Sequence, residues 1–219
     1  TSPIFKSTFG STYKHWLSNW STQLISKVLD KNVADVFKGC IPSVHCDIKV
    51  AQHLLPYILV TVISQSKDHA REVREEIEVI LDENTTNQQM TQKDMNNFLF
   101  HEENEDGDWN SDNKGESYEL KYNAVRMVFA ILDHMNKWSK KRYSQLTQKM
   151  KPRDDPSDYT SKDLQFLSIK EFVDSIKPKT LAKVALESKS YARSLLYLEI
   201  HLRKDPGDLN ACYFNLQTI

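Results

Sequence analysis

Glycine is scarce in this chain: five residues in 219, at positions 10, 39, 107, 115 and 207. A β-rich or α/β protein needs glycine at its tight turns, so the shortage favours helices. No two of the five lie close enough to form a phosphate-cradling loop. His-Arg-Asp and Asp-Phe-Gly triplets are absent as well, which excludes a kinase catalytic core within these residues. Cysteine is also sparse. Cys40, Cys46 and Cys212 are three and odd in number, too few for a disulfide framework, and a reducing cytosolic or nuclear compartment is expected. The longest apolar run, Leu54 to Ile63, is about half a membrane span and contains Pro56, which argues against a transmembrane segment. No signal-peptide pattern occurs. An excess of charge of either sign is missing too. The net charge is −1, so nothing electrostatic calls for DNA, RNA or an anionic membrane as a direct ligand.

What is present is 39% apolar and 27% charged residues, the composition of a folded, soluble domain. The chain opens on Thr1 and stops at Ile219 within an apolar-periodic stretch, from which a piece of a larger protein is expected. Tyr13, Trp16, Leu17, Trp20, Leu24, Ile25 and Val28 recur at helical spacing and predict a first helix. A short second helix carries Val33, Val36, Phe37, Cys40 and Ile41 and is expected to stop at Pro42. A third starts after Asp47, a natural N-cap, runs to about Gln65 and is expected to kink at Pro56. A fourth spans 67–81 with an inward stripe of Ala70, Val73, Ile77, Ile80 and Leu81, and outward pairs Arg71–Glu75 and Arg74–Glu78.

Residues 82–117, rich in Asn, Gln, Asp and Glu, read as an acidic insertion loop. A long amphipathic helix follows from about Tyr118 to Met150, with Val125, Val128, Phe129, Leu132, Met135 and Trp138 on its core face. Pro152 and Pro156 bracket a linker at 151–160. The last third holds a helix from Ser161 to Ile176, expected to end before Pro178, and then shorter helices, with Tyr191, Ala192, Leu195, Leu196, Leu198 and Leu202 on one of them. Helix pairs in series, none able to bury its apolar face alone, predict an all-α solenoid of antiparallel pairs with a degenerate repeat. Residues 1–10 form an N-terminal extension, 11–150 a HEAT-like array, and 161–219 a second set of helices. Trp16, Trp20, Leu55, Ile58, Phe129 and Leu132 are the expected core.

Four constellations resemble functional sites. Asp106, Asp108, Asn110 and Asp112 alternate as in an EF-hand loop, but Ser111 stands where glycine is needed and Ser117 where the bidentate Glu belongs, so a solvated acidic loop is the better reading. Cys40, His45, Cys46 and His53 crowd together without the spacing of a zinc knuckle, and are read as buried thiols and ordinary histidines. Asp133 and His134 are adjacent on a helix and point about 100° apart, so they make no acid–base dyad. Lys137, Lys140, Lys141 and Arg142 suit a helix C-terminus better than a phosphate site. No catalytic, cofactor-binding or metal-binding residue is therefore assigned, and no cofactor is expected within these residues.

Residues Trp16–Val28, Asp47–Ile63, Val128–Trp138 and Thr180–Leu198, taken in order, resemble checkpoint kinases of the ATR type within the phosphoinositide-kinase-related protein kinases. The Leu-Leu-Pro-Tyr-Ile-Leu run at 54–59 and the Ser-Lys-Ser-Tyr-Ala-Arg run at 188–193 are its most specific parts. The resemblance implies a place where the HEAT-type array passes into the TPR-like helices of a FAT domain, with FAT proper from about Leu181. It implies a nuclear serine/threonine kinase as parent, acting in DNA damage and replication stress, with ATP and Mg in a kinase domain elsewhere. It also implies ATRIP as the parent's partner, contacted outside this segment, and a preference for Ser or Thr before Gln. Such pairs begin at Thr22, Ser64, Thr91, Ser144 and Thr147. Four fall on expected helices, leaving Thr91 as the accessible candidate for phosphorylation. A helical-repeat adaptor that binds partner peptides is the competing reading.

Overall fold

Side-chain caps mark where the helices begin in the computed structural model, which describes residues 3–5, 7–82, 113–148 and 160–208. Thr12 accepts from the His15 amide at the start of α1 (Tyr13–Ser26), and Asp30 accepts from Asn32 and Val33 at the start of α2 (Lys31–Gly39). Asp47 accepts from Lys49 and opens α4 (Ile48–Gln65), and Ser66 accepts from His69 and opens α5 (Lys67–Leu81). Each cap satisfies an amide that the first turn leaves without an intrahelical partner. Between α2 and α4 lies the short α3 (Ile41–Cys46). Beyond the acidic segment come α6 (Asn113–Thr147), α7 (Leu164–Ser175, capped by Asp163), α8 (Pro178–Glu187), α9 (Tyr191–Lys204) and a 3₁₀ turn at Pro206–Asp208. The described residues contain no strand, and the all-α expectation is met.

Two prolines act differently from the expectation. Pro42 and Pro178 were read as stops, yet they sit in the first turns of α3 and α8. There the missing N–H would have had no partner and the fixed φ suits a helix start. Pro56 lies inside α4, which runs on past it without a break. α6 begins at Asn113, several residues before the expected Tyr118, and ends at Thr147.

α4 is the central element. It touches α1, α3, α5, α6 and α7, and buries Ala51, Leu55, Ile58, Leu59, Val62 and Ile63. All six expected core residues are buried. One apolar cluster runs from Phe5 to Leu198 and draws on every helix. The helices before and after residues 151–159 thus share a core, with α7 against α4 and α6, and α8 against α5. α8 and α9 form a helical hairpin. At its turn the Ser190 amide donates to the Ala185 carbonyl (2.8 Å) and the Lys189 amide to the Leu186 carbonyl (2.9 Å), with Lys189 at φ 54°. That is a Schellman motif with lysine in the left-handed position glycine usually takes.

A buried carboxylate ties the N-terminal segment to this frame. Glu76 of α5 is 3% exposed and accepts from the Ile4 amide (2.7 Å), the Phe5 amide (2.9 Å) and the Trp16 indole N–H (2.8 Å). Phe5 packs edge-on against Trp16, which stacks on Trp20. Nearby the segment doubles back so tightly that a Cβ on Gly10 would lie 2.3 Å from the Ile4 carbonyl oxygen, so only glycine fits.

Candidate functional site

No group of three or more metal-ligating side chains gathers among the described residues. Cys40 is half-buried and Cys46 exposed, which corrects the expectation of buried thiols: Cys40 lies in the turn before the short α3, which packs inward through Val44 and Ile41 and leaves Cys46 outside. His45 pairs with the Thr22 hydroxyl at 3.2 Å, and exposed His53 packs on Tyr57. The four residues thus have separate surroundings. The Asp106–Asp112 series and Thr91 lie outside the described residues, as does Cys212. Thr22, Ser64, Ser144 and Thr147 all lie within helices.

Asp133 and His134 serve different neighbours, as their helical spacing requires. Asp133 binds Arg193 of α9 at 2.7 Å, and the same guanidinium lies 5.2 Å from the Phe129 ring centroid. Phe129 stacks on Tyr197, whose phenol pKa is raised by burial and then by the Asp133 carboxylate, with Arg193 opposing. This seam joins the last helix to α6. Within the hairpin, the buried Ser194 hydroxyl donates to the Ala182 carbonyl (2.9 Å). His134 meets Tyr57 edge-on at the α4–α6 junction, and its pKa is lowered by burial, Lys137 and His53.

The surface carries more information than any polar cluster. Of the ten large apolar side chains exposed among the described residues, three sit on α9 and three in the segments around α1 and α2. Phe9, Leu29 and Val36 belong to the segments around α1 and α2, and Tyr191, Leu195 and Leu196 to α9. α9 buries Leu198 and Tyr197 inward while Leu195 and Leu196 stay 42% and 51% exposed. The apolar residues of this helix therefore extend beyond the face that is buried. No helix among the described residues is long and apolar enough to cross a membrane.

A family model described as the M-HEAT region of the serine/threonine-protein kinase ATR matches residues 1–102 and 104–219. The chain belongs to the ATR M-HEAT family. ATR of Arabidopsis thaliana is 28% identical over 225 residues, covering 95% of this chain and 8% of the relative. ATR of Oryza sativa subsp. indica is 24% identical over 223 residues, covering 95% of this chain and 7% of the relative. The chain thus spans less than a tenth of the length of these kinases. No solved structure matches the chain at a significant level. Membership in the M-HEAT family agrees with the all-α solenoid of the described residues.

Proposed function

We propose that this chain is a non-catalytic scaffold segment of an ATR-like kinase, stacked between neighbouring helical units and transmitting conformation along the parent chain. The exposed apolar side chains on α9 (Tyr191, Leu195, Leu196) and around α1 and α2 (Phe9, Leu29, Val36) carry this reading. Solenoid units leave such faces for their neighbours to cover. The parent is a nuclear serine/threonine kinase of the DNA damage and replication stress checkpoint, with ATP and Mg held in its kinase domain. ATRIP binds that parent outside this segment. At its two ends the segment partners the flanking parts of the parent chain, with no direct nucleic acid or membrane contact. The shared core and the M-HEAT match over residues 104–219 favour keeping α7–α9 in the same array over a FAT domain that opens near Leu181.

The test is made in the full-length kinase, with Val36→Glu at one end and Leu195→Glu with Leu196→Glu at the other. All three positions are exposed here, so the substitutions leave this segment folded and act on what covers it. Each variant is expected to open new protease cuts in the helical array and to lower checkpoint phosphorylation after replication stress. Wild-type proteolysis and wild-type signalling in both variants would sink the stacking role.

A further inference from the structure

Away from the two ends, three of the four remaining exposed apolar side chains, Tyr143, Leu164 and Leu167, lie on α6 and α7. Between these helices runs an open groove of about 410 Å³, lined by Lys140, Tyr143, Phe166, Lys170, Val173 and Asp174 among others. Tyr143 and Phe166 pack at 6.4 Å between ring centroids and, with Val173, give it an apolar floor. Among the lining residues, two lysines face one carboxylate, Asp174. Asp163 takes Arg142 at 2.6 Å, and Asp174 lies 3.8 Å from Lys204. Lys140 and Lys170 have no such partner among the described residues, so the groove carries an unbalanced positive charge over an apolar floor. Its volume holds one or two large side chains and not a whole helix, so an occupant would lie across it and insert anchors.

We propose that the α6–α7 groove docks an acidic amphipathic segment of a separate protein, which seats Leu or Phe anchors on Tyr143, Phe166 and Val173 and aligns carboxylates with Lys140 and Lys170. The stacking faces at the ends of the array play no part in this, and the proposal stands or falls apart from them. Apolar anchors supply the affinity, and the two lysines supply sign selectivity and salt dependence.

The experiment uses the 219-residue chain and two fluorescein-labelled synthetic peptides. Both carry Leu and Phe at i, i+4 and i+7; one is otherwise Glu-rich, the other Lys-rich. Anisotropy is expected to show saturable binding of the acidic peptide that weakens with added salt, and little binding of the basic one. Lys140→Glu with Lys170→Glu, two surface changes whose fold is checked by circular dichroism, is expected to weaken the acidic peptide at least about tenfold and to favour the basic one. Equal binding of the two peptides, or acidic-peptide affinity within about twofold of wild type after charge reversal, overturns the proposal. Sedimentation showing that this face is filled by a second copy of the chain overturns it as well.

Discussion

Removing the Glu76 carboxylate tests whether a polar side chain in the core holds the N-terminal segment in place. Two oxygens serve three donors: Oε1 accepts from the Phe5 amide and the Trp16 indole, and Oε2 from the Ile4 amide. In Glu76→Gln the amide keeps one oxygen, which preserves at best the two bonds at Oε1, and its NH₂ then meets the Ile4 N–H donor to donor. A hydrogen bond to a charged group contributes about 1.5–3 kcal/mol, and an orphaned buried donor costs about 1–3 kcal/mol. Glu76→Gln should therefore lose roughly 1–3 kcal/mol. Glu76→Leu leaves all three donors unpaired, and because bonds within one network do not add, about 3–5 kcal/mol is the expected loss. Two readouts separate global from local failure. Urea unfolding followed by tryptophan emission reports the Trp16–Trp20 stack, and limited proteolysis before Tyr13 reports detachment of residues 3–10. If Glu76→Leu unfolds within about half a kcal/mol of wild type and gains no cut before Tyr13, the carboxylate does not hold the segment.

Four further outcomes follow from single features. Ser21 is fully buried and its hydroxyl has no hydrogen-bond partner, so Ser21→Ala should raise stability by about 1 kcal/mol in urea unfolding. Lys189→Gly relieves a left-handed lysine and should stabilise by roughly 0.5–1 kcal/mol, seen as a higher urea midpoint at constant slope. Leu55→Ala and Leu132→Ala, at fully and nearly fully buried sites, should each cost about 2–5 kcal/mol by the same assay. The lowered pKa of His134 means that the unfolded chain binds the extra proton first. Its contribution is present above the ordinary histidine pKa of about 6.5 and is lost as pH falls towards the folded value. Wild type should lose more stability than His134→Gln between about pH 7.5 and pH 5.5, by a small amount because the ring is only partly buried.

The helices themselves were legible because their signals are local. Spacing of Trp16, Trp20 and Leu24 on one stripe, and Asp47 and Ser66 before α4 and α5, depend on the near neighbours in the chain. The start of α6 was not, because Asn113 to Glu116 carry no apolar residue to set a period. Pro42 and Pro178 stop one helix and start the next with the same chemistry, and only the chain's path decides between them. Glu76 had a usable signal. It lies three residues after Val73 and four before Ile80, on the inward face, but its charge argues for the outside until its donors, 60 to 72 residues away, are known. On the outer face of α5, the expected Arg74–Glu78 pair forms at 3.9 Å, while Arg71 turns back to Asp68 instead of Glu75. The exposure of Cys46 and the union of α7 with α4 likewise depend on packing that no local window contains. The α6–α7 groove left one trace, Lys140 in the basic tail of α6, and its floor exists only once Phe166 is brought beside Tyr143.

The position of α4 has a mechanical consequence. Units that touch only their neighbours stretch in series, as links in a chain do, and each link adds its own give. Here five other helices share α4 as a common axle. A pull on α1 and a pull on α7 meet in the same helix, so strain entering at either place is shared by one core and is not handed from one helix pair to the next.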